Sequence, residues 1–178
     1  MRCPFEAAKQ HFGEDARLII AEVGVAFGDN AMDVYAGLKP AEFHLVDRWN
    51  DDWAGIRTAA EGIVYTGTQM KQFVEEQLGH LPGVRLVQAY SQAAVGMYAD
   101  HYFDLVYIDG DHSYEGCLAD LNSWYSKVRP GGIFGGDDYF FHPDVLQAVT
   151  EFGEREGLTV HTGHSKTQWW VFKPENKQ

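Results

Sequence analysis

Cysteine is scarce: Cys3 and Cys117 are the only two among 178 residues, and they fall in no C-x-x-C spacing. Two thiols so placed build no disulfide scaffold. Long apolar runs are missing as well. The longest, Leu18 to Phe27, is interrupted by Glu22 and falls far short of the roughly 20 residues that span a bilayer. The opening Met1-Arg2-Cys3-Pro4-Phe5-Glu6 has no apolar stretch of the signal-peptide kind. Positive charge is in deficit, with 14 Lys and Arg against 26 Asp and Glu, a net charge of −12, and no basic cluster of four or more. Such a surface repels a phosphate backbone, so neither nucleic acid nor a membrane is an expected partner. A cytoplasmic location is the expectation. No repeat, low-complexity tract or long Pro/Ser linker divides the chain.

What is present is the composition of a globular protein, 45% hydrophobic, at a length that suits one domain over 1–178. Short apolar runs alternate with helix-like segments. Leu18 to Val25 reads as a buried strand, followed by a Gly28-Asp29-Asn30 turn and cap and a helix over Ala31 to Leu38. Glu42 to Asp47 is a second strand, Met70 to Leu78 a helix, Val84 to Ala89 a third strand, and Ser91 to Met97 a short helix. Phe103 to Asp109 is the clearest buried strand. A helix from about Tyr114 to Val128 follows, with Pro130-Gly131-Gly132 expected to break it. Ile133 to Asp138 is the fifth strand and Val145 to Phe152 the next helix. Leu158 to His161 and Trp169 to Phe172 close the chain as two strands with no room for a helix between them. Residues 1–17 precede the first strand as an N-terminal helical segment. Asn50 to Gly67 fits no simple period; it reads either as a substrate-facing loop or as an irregular helix packed on the sheet.

Strands alternating with helices imply parallel βαβ units with right-handed crossovers, and the close final pair implies antiparallel pairing. The expected fold is α/β: a Rossmann-like, doubly wound, seven-stranded sheet with one antiparallel strand near the C-terminus.

Chemistry-bearing residues gather where these strands end. Glu22-x-Gly24-x-x-x-Gly28 follows the first strand, where a doubly wound fold receives a nucleotide. The G-x-G-x-x-G fingerprint of a pyrophosphate ligand is not met, because Ala26 stands at its second glycine. A nucleoside without phosphate suits this loop better, with Glu22 near a cation. Asp47 ends the second strand, where a carboxylate accepts hydrogen bonds from ribose hydroxyls. Ser91, beyond the third strand, is expected near the adenine edge. Ile108-Asp109-Gly110-Asp111-His112-Ser113-Tyr114-Glu115 and Gly135-Gly136-Asp137-Asp138-Tyr139 end the fourth and fifth strands. If those strands are neighbours, their carboxylates crowd together and call for a cation or a proton. Oxygen ligands favour Mg²⁺, though Asp111 and Asp138 can equally serve helix N-termini. His112, read as the only histidine beside this cluster, can take a proton near neutral pH or simply orient a carboxylate. His161 and His164 read as structural or surface residues. Trp169 and Trp170 cannot face one core, so one stands either at a homodimer interface or under a neighbouring helix.

From about Leu18 to Lys173 the chain resembles a class I S-adenosylmethionine-dependent methyltransferase. The stretch Ile108 to Glu115, with Pro130-Gly131-Gly132 and Gly136-Asp137-Asp138-Tyr139, is similar to the small group related to macrocin- and novobiocin-type sugar O-methyltransferases. The resemblance implies that Glu22, Gly24, Gly28, Asp47, Ser91 and Asp109 bind the cofactor. It also implies that Asp109, Asp137 and Asp138 hold a divalent metal such as Mg²⁺, and that His112 is the general base beside Asp109. Larger members close lid segments over their substrate. Here the pocket is either open, covered by a second subunit, or covered by the Asn50–Gly67 segment.

The resulting expectation is metal-assisted O-methylation of a small-molecule hydroxyl. Two alternatives remain at this level. Asp109-x-Asp111 also suits a metal-dependent glycosyltransferase using a nucleotide sugar, and a non-catalytic S-adenosylmethionine-binding module needs only the glycine loop and Asp47.

Overall fold

The computed structural model describes the backbone of residues 3–52, 54–58, 63–163 and 166–175, with side chains for all of these except 3, 54–58 and 63. The elements run α1 (Cys3–Phe12), β1 (Ile19–Val23), α2 (Asp29–Leu38), β2 (Glu42–Asp47), β3 (Ala54–Thr58), β4 (Ile63–Thr66), α3 (Gly67–Leu78), β5 (Val84–Gln88), α4 (Ser91–Ala94), β6 (Phe103–Ile108), α5 (Tyr114–Trp124), β7 (Val128–Gly136), α6 (Pro143–Glu156), β8 (His161–Thr162) and β9 (Trp169–Phe172). Seven strands form one sheet in the order β5-β2-β1-β6-β7-β9-β8. The pairings β5–β2–β1–β6–β7 are all parallel, and β9 runs antiparallel to both of its neighbours. This is the expected fold, with its single reversed strand.

Alternation along the strands divides the core into two layers. Ala21, Val106, Ile108 and Phe134 face one layer with Leu121, Trp124, Val149 and Phe152 from α5 and α6. Ile20, Leu105, Tyr107 and Ile133 face the other with Phe5, Val34, Met70 and Val74 from α1, α2 and α3. Strands buried on both faces are what a helix-flanked parallel sheet requires. The adjacent tryptophans separate by the same period of two. Trp169 is buried against Phe134 at 5.6 Å, and Trp170 stacks on His161 with ring centroids 5.6 Å apart.

Four local expectations are corrected. Within Asn50–Gly67 the described residues are not an irregular helix: β3 and β4 pair antiparallel as a separate two-stranded sheet. Its β-branched residues, Ile56, Thr58, Ile63, Val64 and Thr66, favour that conformation. Trp53 lies outside the described residues. The following helix begins earlier than Met70, because Thr66 and Gln69 form a reciprocal capping box. Pro130-Gly131-Gly132 does not break α5, which ends at Trp124 and passes through a 3-10 turn into β7. The motif instead lies inside β7, where the pairing register with β6 shifts. Finally, the sixth strand is only His161–Thr162 rather than Leu158–His161, since Leu158 N–H bonds back to the Gly153 carbonyl at the end of α6.

At the opposite, amino-terminal edge of the sheet, buried His44 touches Tyr98 Oη at 3.2 Å and Glu42 Oε2 at 3.1 Å. Tyr102 and Arg85 also reach Glu42. Burial lowers the His44 pKa, and the Glu42 hydrogen bond only partly opposes this.

Two stability predictions follow from this packing. Phe134→Ala should cost about 3–5 kcal/mol in urea unfolding, whereas Phe172→Ala, at a side chain 37% exposed, should cost under about 1 kcal/mol. His44 has its folded pKa below its unfolded value, so its contribution is complete above about pH 6.5 and is lost as pH falls from there through the lower folded value. Comparing wild type with His44→Gln by urea unfolding between about pH 8 and 5 should show this component disappear in the variant.

Candidate active site

The strand order reverses between β1 and β6, and the crevice at their carboxyl ends is where doubly wound folds hold ligands. Gly24, just past β1, has φ +88°. A Cβ there would collide with the carbonyl of Asp109, just past β6. Asp109 N–H in turn donates to the Val23 carbonyl at 2.7 Å, and Gly24 N–H to the Val46 carbonyl at 2.9 Å. The ends of β1, β2 and β6 are therefore joined by backbone contacts.

Asp47 secures the glycine loop. Its Oδ2 accepts from the N–H groups of Val25 (2.8 Å) and Ala26 (2.9 Å), and its Oδ1 from Trp49 N–H (2.8 Å). Trp49 closes the arrangement by donating its indole N–H to the Ala26 carbonyl at 2.9 Å. Oδ2 already accepts two bonds but Oδ1 only one, so the remaining lone pair on Oδ1 lets Asp47 hold the loop and still accept from a ligand hydroxyl. Gly28, at φ 76°, ends the loop as the N-cap of α2 and packs against Val74.

The loop encloses polar capacity of its own. Glu22 is 1% exposed at the end of β1. Asn30, in the first turn of α2, is also buried, and among the described residues neither its amide oxygen nor its amide nitrogen finds a hydrogen-bond partner. A buried amide left so costs about 1–3 kcal/mol, a cost that a polar ligand at the helix N-terminus offsets. Together with the glycine loop held by Asp47, these residues fit a polar nucleoside-type cofactor. The sequence reads Asn30 only as part of the Gly28-Asp29-Asn30 turn and cap, not as a binding residue.

Ser91 opens α4, and its hydroxyl is already engaged: it donates to the buried carboxylate of Asp120 and accepts from the Trp124 indole at 2.8 Å. Gln92 also donates to Asp120, at 2.8 Å. Asp120, whose pKa is raised by burial, lies beside Gly110 and so braces α4 against the loop after β6. Sequence reading missed this carboxylate because its helical position alone does not reveal its burial.

Asp109, Asp111, His112, Asp137 and Asp138 line one small cavity of about 10 Å³, together with Trp169 and Cys117. Asp137 N–H donates to the Ile108 carbonyl, so neighbouring β6 and β7 bring these groups to one edge. Asp111 serves the start of α5, accepting from Ser113 N–H at 2.9 Å. Asp138 adopts φ +63° and lies 2.9 Å from His112 Nε2. That hydrogen bond raises the His112 pKa; burial opposes it, and the charges of Asp138, Asp109 and Asp111 add to it.

His112 is not the only histidine here, which corrects the sequence reading. The Asp138 carbonyl accepts from both Phe141 and His142 N–H, a turn that folds His142 onto His112 with ring centroids 4.4 Å apart. The spacing Asp138-x-x-x-His142 carried this signal, but only for a helical turn. His164 lies outside the described residues.

Mg²⁺ holds its oxygens at about 2.0–2.1 Å, so no two ligands stand more than about 4.2 Å apart. Among the described residues, Asp109, Asp137 and Asp138 form no group with ligand atoms within 4.8 Å of one another; His112, Asp138 and His142 do. The three carboxylates therefore do not fit a ready Mg²⁺ site.

Residues 21–139 match a protein family described as a methyltransferase domain. The chain belongs to that family of S-adenosylmethionine-dependent methyltransferases. Two solved structures resemble its fold. One is a Corynebacterium glutamicum protein, with TM-score 0.66 and 17% identity, covering 98% of this chain and 80% of that one. The other is a precorrin-6y methyltransferase from Geobacter metallireducens, with TM-score 0.65 and 11% identity, covering 95% and 87%. An uncharacterized protein of Acanthamoeba polyphaga mimivirus is 39% identical over 51 residues, a match spanning 27% of this chain and 23% of that protein. Among the described residues no helix is long and apolar enough to cross a membrane.

Replacing Gly24 with alanine should destabilise the protein by about 3 kcal/mol or more, because positive φ and a backbone collision act together. Gly157→Ala is the control: that residue has φ +66° but open space around its missing Cβ, so urea unfolding should register only about 1–2 kcal/mol.

Proposed function

We propose that this protein transfers a methyl group from S-adenosylmethionine to a hydroxyl of a small molecule. The observation that carries the reading is His112 hydrogen-bonded to Asp138 at the carboxyl edge of the sheet, next to the glycine loop. Glu22, Gly24, Gly28, Asp47 and Asp109 would hold the cofactor, with Asn30 added from its buried, unpartnered amide and Ser91 acting through the placement of α4. When bound, the cofactor supplies an electrophilic methyl on a positively charged sulfur, and buried Glu22 and the aspartates provide a favourable field for that charge.

His112 does the acid–base work. With Nε2–H donating to Asp138, the neutral imidazole carries its lone pair on Nδ1, from which it accepts the hydroxyl proton as the oxygen becomes a nucleophile. Asp138 fixes the ring and stabilises the imidazolium that results. Orientation of hydroxyl and methyl accounts for the largest share of the acceleration, on the order of 7–11 kcal/mol. Mg²⁺ is left out of this reading, because Asp109, Asp137 and Asp138 do not gather around one point.

The first experiment is calorimetric titration with S-adenosylhomocysteine. Binding in the micromolar range is the expected result, and no binding would overturn the cofactor assignment. His112→Ala should keep that affinity while lowering turnover of a responsive hydroxyl acceptor by about 10²–10⁴-fold; unchanged turnover would remove the base assignment.

A further inference from the structure

The two histidines and the carboxylate that close together beside the aspartates have a use that proton transfer alone does not explain. His112, Asp138 and His142 each offer a ligand atom, all within 4.8 Å of one another. His112 comes from the loop after β6, while Asp138 and His142 bracket the turn between β7 and α6. The His112 side chain is 41% exposed and that of Asp138 25% exposed, so a hydrated ion can enter from solvent. Asp109 and Asp111 add negative potential around the imidazole.

We propose that His112, Asp138 and His142 form a binding site for a borderline divalent transition metal, Zn²⁺ being the best fit, rather than for Mg²⁺. Imidazole nitrogens suit zinc, iron, nickel and copper, whereas Mg²⁺ takes oxygen donors in a near-ideal octahedron. A tetrahedral Zn²⁺ with bonds of about 2.0–2.1 Å places its donors roughly 3.3–3.4 Å apart. Binding would turn the stacked imidazoles so that their nitrogens converge with the Asp138 carboxylate at that spacing, with water in the fourth position. His142 stands at the N-cap of α6 and makes no side-chain cap bond, and its ring already lies against His112.

One consequence rests on the function proposed above. A cation on His112 and proton acceptance by His112 draw on the same imidazole, so the bound metal and methyl transfer exclude each other. The site would then act as a metal-sensitive brake on the enzyme.

The test is calorimetric titration of the metal-stripped protein with ZnCl₂ and, separately, with MgCl₂, followed by the absorption spectrum of the Co²⁺-loaded protein. One Zn²⁺ per chain, bound at least about 100-fold more tightly than Mg²⁺, and the d–d bands of a tetrahedral Co²⁺ site are expected. His142→Ala should weaken Zn²⁺ by at least about 10-fold and lose those bands. Asp138→Asn is a second variant, well suited to its positive φ, and should weaken Zn²⁺ likewise. Zn²⁺ bound no more tightly than Mg²⁺, or His142→Ala titrating as wild type, would overturn the site. These readings need no activity, so they stand or fall apart from the methyltransfer proposal. Where methyl transfer is measurable, Zn²⁺ should inhibit wild type and spare His142→Ala. Inhibition absent from wild type despite tight Zn²⁺ binding would overturn the brake and leave the metal site standing.

Discussion

The close approach of Gly24 to the Asp109 carbonyl sets the geometry of the carboxyl edge. Parallel strands β1 and β6 stand side by side at the point where the strand order reverses, and the loops leaving them must share one narrow space. Only a residue without a Cβ, free to adopt positive φ, lets the two backbones meet there. That contact brings the end of β6, and with it Asp109 and His112, alongside the glycine loop. Asp47 then holds the loop from the β2 side through three backbone N–H groups. The glycine loop and the Asp–His cluster thus share one scaffold of main-chain contacts.

The two buried carboxylates illustrate how position decides the role of one chemical group. Asp120 is enclosed in the α4–α5 layer, where burial raises its pKa and Ser91 and Gln92 satisfy it. It works as a brace behind the site. Glu22 ends β1 at the front, beside a glycine loop and the buried amide of Asn30. Polar groups buried at a helix N-terminus, such as the Asn30 amide, are costly unless something pairs with them, a need that the proposed nucleoside cofactor would meet.

Around His112 the balance of forces is electrostatic. Four aspartates line or border the same cavity, and crowded like charges favour either a proton or a cation. A protonated imidazole neutralises Asp138 directly; a bound metal would do so more strongly, at the expense of proton acceptance. The two proposals thus draw on the same residues, and under them a metal-bound state and a proton-accepting one compete.

Much of this was legible in the chain. Apolar strands with period-two and helical spacing defined the sheet, its helix-covered faces and the reversed strand, because burial on both faces leaves few other patterns. The motif E-x-G-x-x-x-G, Asp47 and the Asp109–His112 run pointed to the carboxyl edge, because strand ends are where a doubly wound fold presents its loops. The pairing of β3 with β4 was not legible because that segment shows no clear period. The register shift that carries Pro130-Gly131-Gly132 inside β7 and the capture of Ser91 by Asp120 were not legible because each depends on partners distant along the chain. His142 shows the boundary most clearly. Its residue type and spacing from Asp138 were in the sequence, but a left-handed residue and a turn closed on the Asp138 carbonyl were needed to bring it to His112. Local pattern determined the elements and the edge at which they converge; long-range backbone contacts decided which side chains meet there.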